Sequence, residues 1–206
     1  MIKETIKLIA VLTLFCVISG FLLAWVNIQT KAPIEASKKA EMSQAFAKIL
    51  PPYDNDIISD SITTNYMGKE LKFYIGKKDG RISGIAFISE SQRGYGGKIV
   101  IACGISTEDK TIKGIEILEA NETPGLGSKI RDTKFLSQFS GKSTVNSEWA
   151  KVKKDMGDID AITGATISSR AVAEAVKIGL DAFNSIKASM MTEENKRNVI
   201  QQGEPQ

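Results

Sequence analysis

Residues 8–26 contain no charged side chain and are rich in Leu, Ile, Val and Phe. At about 1.5 Å of rise per residue an unbroken helix over them spans about 28 Å, close to a bilayer core of roughly 30 Å. Trp25 stands at the distal end, where an aromatic ring anchors at the interface. A cleaved signal peptide is the rival reading. It would have a shorter apolar run and a small-residue cleavage site after it, and Trp25-Val26-Asn27-Ile28-Gln29 offers none. No lipoprotein-type box of small residues precedes Cys16. The segment is therefore read as a single retained anchor. Lys3 and Lys7 before it and Lys31, Lys38 and Lys39 after it leave its orientation open on charge alone.

Beyond the anchor the chain is polar enough to fold in water. Residues 34–50 read as a stalk helix, with Pro33 near its start, Pro51-Pro52 as a stop, and an apolar face of Ile34, Met42, Ala45, Phe46, Ile49 and Leu50. From residue 71 the period changes to that of strands. Residues 71–75 and 82–88 flank the turn Lys78-Asp79-Gly80, and residues 98–106 and 111–118 flank Glu108-Asp109-Lys110, giving two hairpins. Residues 129–139 read as a short helix, residues 169–188 as an amphipathic one, and residues 191–206 as a polar, frayed tail. The expected class is α+β, a single N-terminal transmembrane helix followed by a soluble domain of antiparallel β-hairpins packed with helices. The expected division is an anchor (1–30), a stalk helix and first hairpin (31–89), a binding domain (90–188) and a tail (189–206).

Composition narrows the chemistry. The chain of 206 residues has a net charge of +3 with its basic residues scattered, which gives no footprint for nucleic acid. It has no histidine, so the usual zinc sites and any Ser-His or Cys-His pair are missing. Two cysteines, Cys16 and Cys103, cannot hold a four-thiolate cluster and read as separate buried thiols. No catalytic residue and no metal ligand is assigned. Whatever chemistry the chain performs must come from a bound group.

Three stretches offer places for one. Gly94-Tyr95-Gly96-Gly97 reads as a loop between strands that lets a backbone approach closely. Glu122-Thr123-Pro124-Gly125-Leu126-Gly127 centres a Pro-Gly turn in a polar loop after the last strand. Neither matches a GxxxxGK[ST] or a strand-to-helix GxGxxG, so nucleoside triphosphatase and Rossmann readings are rejected. The third is Asp160-Ala161-Ile162-Thr163-Gly164-Ala165-Thr166-Ile167-Ser168-Ser169, which leads into the amphipathic helix. It has two readings, a plain Ser/Thr-capped helix or a helix N-terminus whose free N–H groups and dipole hold a phosphate.

Taken together and in this order behind one anchor, GYGG, ETPGLG and DAITGATISS resemble the covalent-FMN-binding domain family. The likeness is strongest to the G subunit of the Rnf electron-transport complex, and more distant to the C subunit of the sodium-pumping NADH:quinone reductase. In that family D-x-x-[ST]-G-A-T marks where a flavin transferase attaches FMN, through its phosphate, to the last threonine. Asp160, Thr163, Gly164, Ala165 and Thr166 match it. The resemblance thus implies FMN on Thr166, with Thr163, Gly164, Ala165, Ser168 and Ser169 around the phosphate. It implies Glu122, Thr123 and Leu126 near the flavin, and Tyr95 and Trp149 as weaker contacts. A histidine that often precedes the ETPGLG loop in such proteins is missing, so no role transfers from it.

The implied function is an electron-transfer subunit of a membrane complex that couples electron flow between ferredoxin and NAD to ion movement. Its implied partners are the other subunits, the transferase and membrane lipid. Its implied location is the bacterial inner or plasma membrane, with the soluble domain extracytoplasmic. The alternatives are a component like the C subunit of the quinone reductase, a free-standing anchored flavoprotein, and an anchored scaffold without redox chemistry.

Overall fold

A computed structural model of the chain describes residues 2–202, with side chains through residue 187. The chain divides into two compact units after Glu41. The first belongs to α1 (Ile2–Ile49) and is exposed along its whole described length. It is the one described helix long and apolar enough to cross a membrane. The sequence places a helix boundary at Pro33, but α1 continues through it. A proline inside a helix removes one backbone donor and crowds the preceding turn. The strong helix formers from Glu35 to Glu41 carry the helix on regardless.

The second unit is built on a five-stranded sheet, β1 (Ser61–Tyr66), β2 (Lys69–Lys78), β3 (Arg81–Gly94), β4 (Gly97–Ser106) and β5 (Thr111–Ala120). The strands pair in sequence order, each antiparallel to the next. The two expected hairpins are therefore parts of one meander, joined by the turn at Tyr95-Gly96. Met67-Gly68 and Asp79-Gly80 both have positive φ at each residue, which matches the right-handed twist of the strands they connect.

Both faces of the sheet are covered. On the outer face lie the last turns of α1, where Phe46, Ile49 and Leu50 pack with Tyr74, Ala86 and Ala102. On the inner face lies α3 (Thr166–Gln202), whose Ala171, Val172, Ala175, Val176, Leu180 and Phe183 meet Phe73, Phe87, Ile99, Ile101 and Cys103. Gly179 permits this approach, since a Cβ there would lie 1.9 Å from the Phe87 ring. Ser89 Oγ donates to the Ala175 carbonyl at 2.7 Å, tying β3 to the helix. Of the two thiols expected to be buried, Cys16 is exposed on α1 and Cys103 is buried, where burial pushes its pKa up and keeps it neutral inside this core.

Between β5 and α3 the chain makes short turns of helix, including α2 (Thr133–Leu136), in place of the single helix expected over 129–139. Phe135 and Phe139 are buried there, so packing, not helical length, holds the segment. The backbone of α3 also runs beyond residue 188 to Gln202, where the sequence suggests a frayed tail. No Gly or Pro interrupts residues 180–202. Residues 203–206 of that expected tail lie outside the described residues.

Candidate functional site

The three sequence stretches come together at one end of the sheet. Tyr95-Gly96 forms the turn between β3 and β4, the Glu122 loop leaves the end of β5 beside it, and α3 begins under both. Glu122 joins them. One carboxylate oxygen accepts from Ser168 Oγ at 2.7 Å and the other accepts from the Gly96 N–H at 3.3 Å. Glycine is required at two of these contacts. A Cβ on Gly96 would sit 1.6 Å from the Asn121 carbonyl oxygen, and one on Gly127 would sit 2.5 Å from Glu122 Oε2. Inside the ETPGLG loop, the N–H groups of Leu126 and Ser128 both bond to the Thr123 carbonyl.

The cleft so formed has a volume of about 470 Å³, within the usual range of small-molecule sites. Tyr95, Glu122, Thr123, Leu126, Gly164, Ala165, Thr166 and Ser168 line it, as the motifs imply. Gly127 and Ile167 line it too, and the motifs do not mark them as contacts. Ile167 precedes the helix expected over residues 169–188 and carries no motif signal, and its position in the first turn of α3 turns it outward. Tyr95, Leu126 and Ile167 are 71%, 46% and 48% exposed, so apolar surface faces solvent at the mouth of a polar cleft.

Three residues stand elsewhere. Thr163 lines a separate cleft with Lys129, Phe135 and Asp160. Gly164, with φ +80°, turns the chain between Thr163 and Thr166, so the two threonines face different clefts. Ser169 is fully buried beneath the loop; its Oγ donates to the Ala165 carbonyl at 2.9 Å and accepts from the Ile162 N–H at 3.0 Å. It is the brace of the helix start, not a group open to a ligand. Trp149 lies outside the cleft lining and packs edge-on to Phe139, its Nε1 donating to the Ser143 carbonyl at 2.9 Å.

The backbone at Thr166 offers donors to an anion, while Glu122 is, among the described residues, the one charged side chain in the cleft lining. The Ser169 N–H bonds to the Ala165 carbonyl, which closes the first α-helical turn. Among the described residues no backbone acceptor meets the N–H groups of Thr166, Ile167 or Ser168. The three donors and the positive end of the helix dipole are therefore available where Thr166 sits, half-buried, in the cleft wall. A helix start with free N–H groups, a glycine turn beside it and an exposed apolar rim fits a group with a phosphate at one end and a flat apolar ring at the other. Among the described residues no cluster of His, Cys, Asp and Glu is arranged to hold a metal ion.

Comparison with known proteins places the chain in a family. Residues 94–181 match the model of the FMN-binding domain. The G subunit of the ion-translocating oxidoreductase complex from Photorhabdus laumondii is 36% identical, the alignment covering 81% of this chain and 84% of that protein. Its counterpart from Shewanella piezotolerans is 35% identical, with 92% and 94% covered. The chain belongs to this G-subunit family.

The matched domain begins at the β3–β4 turn and ends within α3, so it contains all three stretches that build the cleft. In fold, this G-subunit family member resembles the crystal structure of NqrC from Shewanella oneidensis. The TM-score is 0.53 at 22% identity, over 74% of this chain and 99% of the other. That likeness agrees with the α+β architecture. The chain is thus an FMN-binding member of a family of redox-complex subunits, and its apolar N-terminal helix agrees with membrane association.

Proposed function

We propose that this chain carries FMN covalently, as a phosphoester on Thr166, and serves as an electron-transfer subunit of a membrane complex. That complex moves electrons between ferredoxin and NAD and couples the flow to ion translocation. The observation that carries the reading is the position of Thr166, the first residue of α3, in a cleft wall with three unused backbone donors. When bound, FMN supplies reversible one-electron transfer, chemistry that the chain's own side chains lack.

The residues divide the work of holding it. Thr166 Oγ1 provides the ester oxygen, and the N–H groups of Thr166, Ile167 and Ser168 meet the phosphate charge. Tyr95, Leu126 and Ile167 exclude water along the ring. Glu122 keeps the β3–β4 turn and the first turn of α3 in register, so that both sides of the cleft stay in place. The remaining subunits of the complex give and take the electrons. A flavin transferase makes the ester, membrane lipid surrounds residues 8–26, and the soluble domain stands on the extracytoplasmic side.

In-gel fluorescence after denaturation tests the linkage. With a co-expressed flavin transferase, the wild-type chain should give a fluorescent band and Thr166→Ala none, while Thr163→Ala retains it. A fluorescent Thr166→Ala band would sink the assignment.

A further inference from the structure

A second cavity, of about 520 Å³, opens at the end of the sheet opposite the Thr166 cleft. It lies between the β2–β3 and β4–β5 turns on one side and the Phe183–Lys187 stretch of α3 on the other. The cavity is not a gap left by polar crowding, because its floor is Ile75, Ile85, Ile105 and Phe183, all buried core residues. Its volume falls in the range of about 300–1,000 Å³ typical of small-molecule sites.

The polar groups on its wall are already used. Thr107 Oγ1 donates to the Ile82 carbonyl at 2.8 Å, Thr144 Oγ1 donates to the Lys110 carbonyl at 2.9 Å, and Ser106 Oγ pairs with Asp109. A ligand body inside the cavity therefore finds few polar partners and must be apolar. The rim is different. Arg81, Lys110 and Lys187 stand around it with one carboxylate, Glu108, and among the described residues none of the three cations forms an ion pair.

The geometry points to a binding site for an aliphatic carboxylate, a free fatty acid whose chain fills the isoleucine-lined floor and whose head meets Arg81, Lys110 and Lys187. The site is independent of the flavin cleft and shares none of its residues.

The test uses the full chain in nanodiscs of zwitterionic lipid, photolysed with a diazirine-bearing twelve-carbon carboxylate, with adducts mapped by mass spectrometry. Adducts should fall on the peptides carrying Ile82, Ile105 and Phe183. Excess laurate should suppress them by about tenfold or more, the sign of a site occupied in competition. Dodecanol and inorganic sulfate should suppress them by less than about twofold, since each supplies only half of the ligand. The exposed double variant Arg81→Glu with Lys110→Glu should lose labelling to the same extent as laurate competition. Equal protection by dodecanol would remove the cations from the site, and equal protection by sulfate would reduce the site to a surface anion contact. Adducts confined to α1 would overturn the site altogether. The competition arms use only the wild-type chain, so they decide the matter even where the variant folds poorly.

Discussion

Glu122→Ala isolates the contact that holds the cleft together. The substitution removes two acceptors at once, one at 2.7 Å from Ser168 Oγ and one at 3.3 Å from the Gly96 N–H. A hydrogen bond to a charged group contributes about 1.5–3 kcal/mol. Glu122 is half-buried and the second bond is long, so the pair is put at the lower part of that range, about 2 kcal/mol in total. For a domain of this size about 1 kcal/mol moves the melting midpoint by about 2–4 °C, so the expected fall is about 4–8 °C. The measurement is thermal unfolding of the full chain without flavin, followed by circular dichroism. Glu122→Gln should fall between the two, because its amide nitrogen cannot accept and one of the two bonds is lost. Ser168→Ala completes a double-mutant cycle, and the coupling between positions 122 and 168 should be about 1 kcal/mol. A melting midpoint for Glu122→Ala within about 1 °C of wild type, or a coupling near zero, would refute the bridging role.

Other parts of the domain can be perturbed in the same way. In Gly96→Ala the new Cβ has no flexible neighbour to displace, since it meets the Asn121 backbone at 1.6 Å. The chain should lose about 3 kcal/mol or more, read as a melting fall larger than that of Glu122→Ala. Ser169→Ala takes both hydrogen bonds from the buried brace under the Thr166 loop and leaves the Ile162 N–H without its acceptor. It should cost about 1–3 kcal/mol and speed amide exchange at Ile162. The Glu148 carboxyl is held at about pKa 2, first by its hydrogen bond to Lys151 and then by Lys177. A depressed folded-state value means the stabilisation is whole above the ordinary carboxyl pKa of 4.5 and is lost as pH falls from there toward 2. Hydrogen-exchange protection factors at residues 147–151, taken relative to the intrinsic amide rate at each pH, should fall across that window in the wild type and show no such step in Glu148→Gln.

Much of this architecture can be read from the chain, for physical reasons that differ by segment. Residues 8–26 declare themselves by length and lack of charge, and β2 to β5 by alternation between turns such as Asp79-Gly80. β1 has only Ile62 and Tyr66 as apolar signal, and its pairing with β2 makes it a strand, so no local reading finds it. Pro33 misleads because a proline's local cost is outweighed by the formers around it.

The site shows the same division. The order of the three motifs marks Thr166, but the Glu122–Ser168 bridge links residues far apart in sequence and has no sequence signature. Thr163 and Ser169 read as neighbours of Thr166 around the phosphate, in a run of small and hydroxyl residues. Gly164's positive φ and the burial of Ser169 under the loop separate them, and both depend on the folded surroundings. Trp149 stands out in sequence as a lone ring in a polar stretch, while its partner Phe139 lies in a segment that reads as one helix and folds as several short turns.

Peptide mass mapping of the wild-type chain, purified with its complex, decides whether Thr166 carries the flavin. The peptide containing Thr166 should show an added mass of FMN minus water, with fragmentation placing it on Thr166 and not on Thr163, Ser168 or Ser169. An unmodified Thr166 in a preparation that retains flavin, or the same increment on any of the other three, would contradict the assignment.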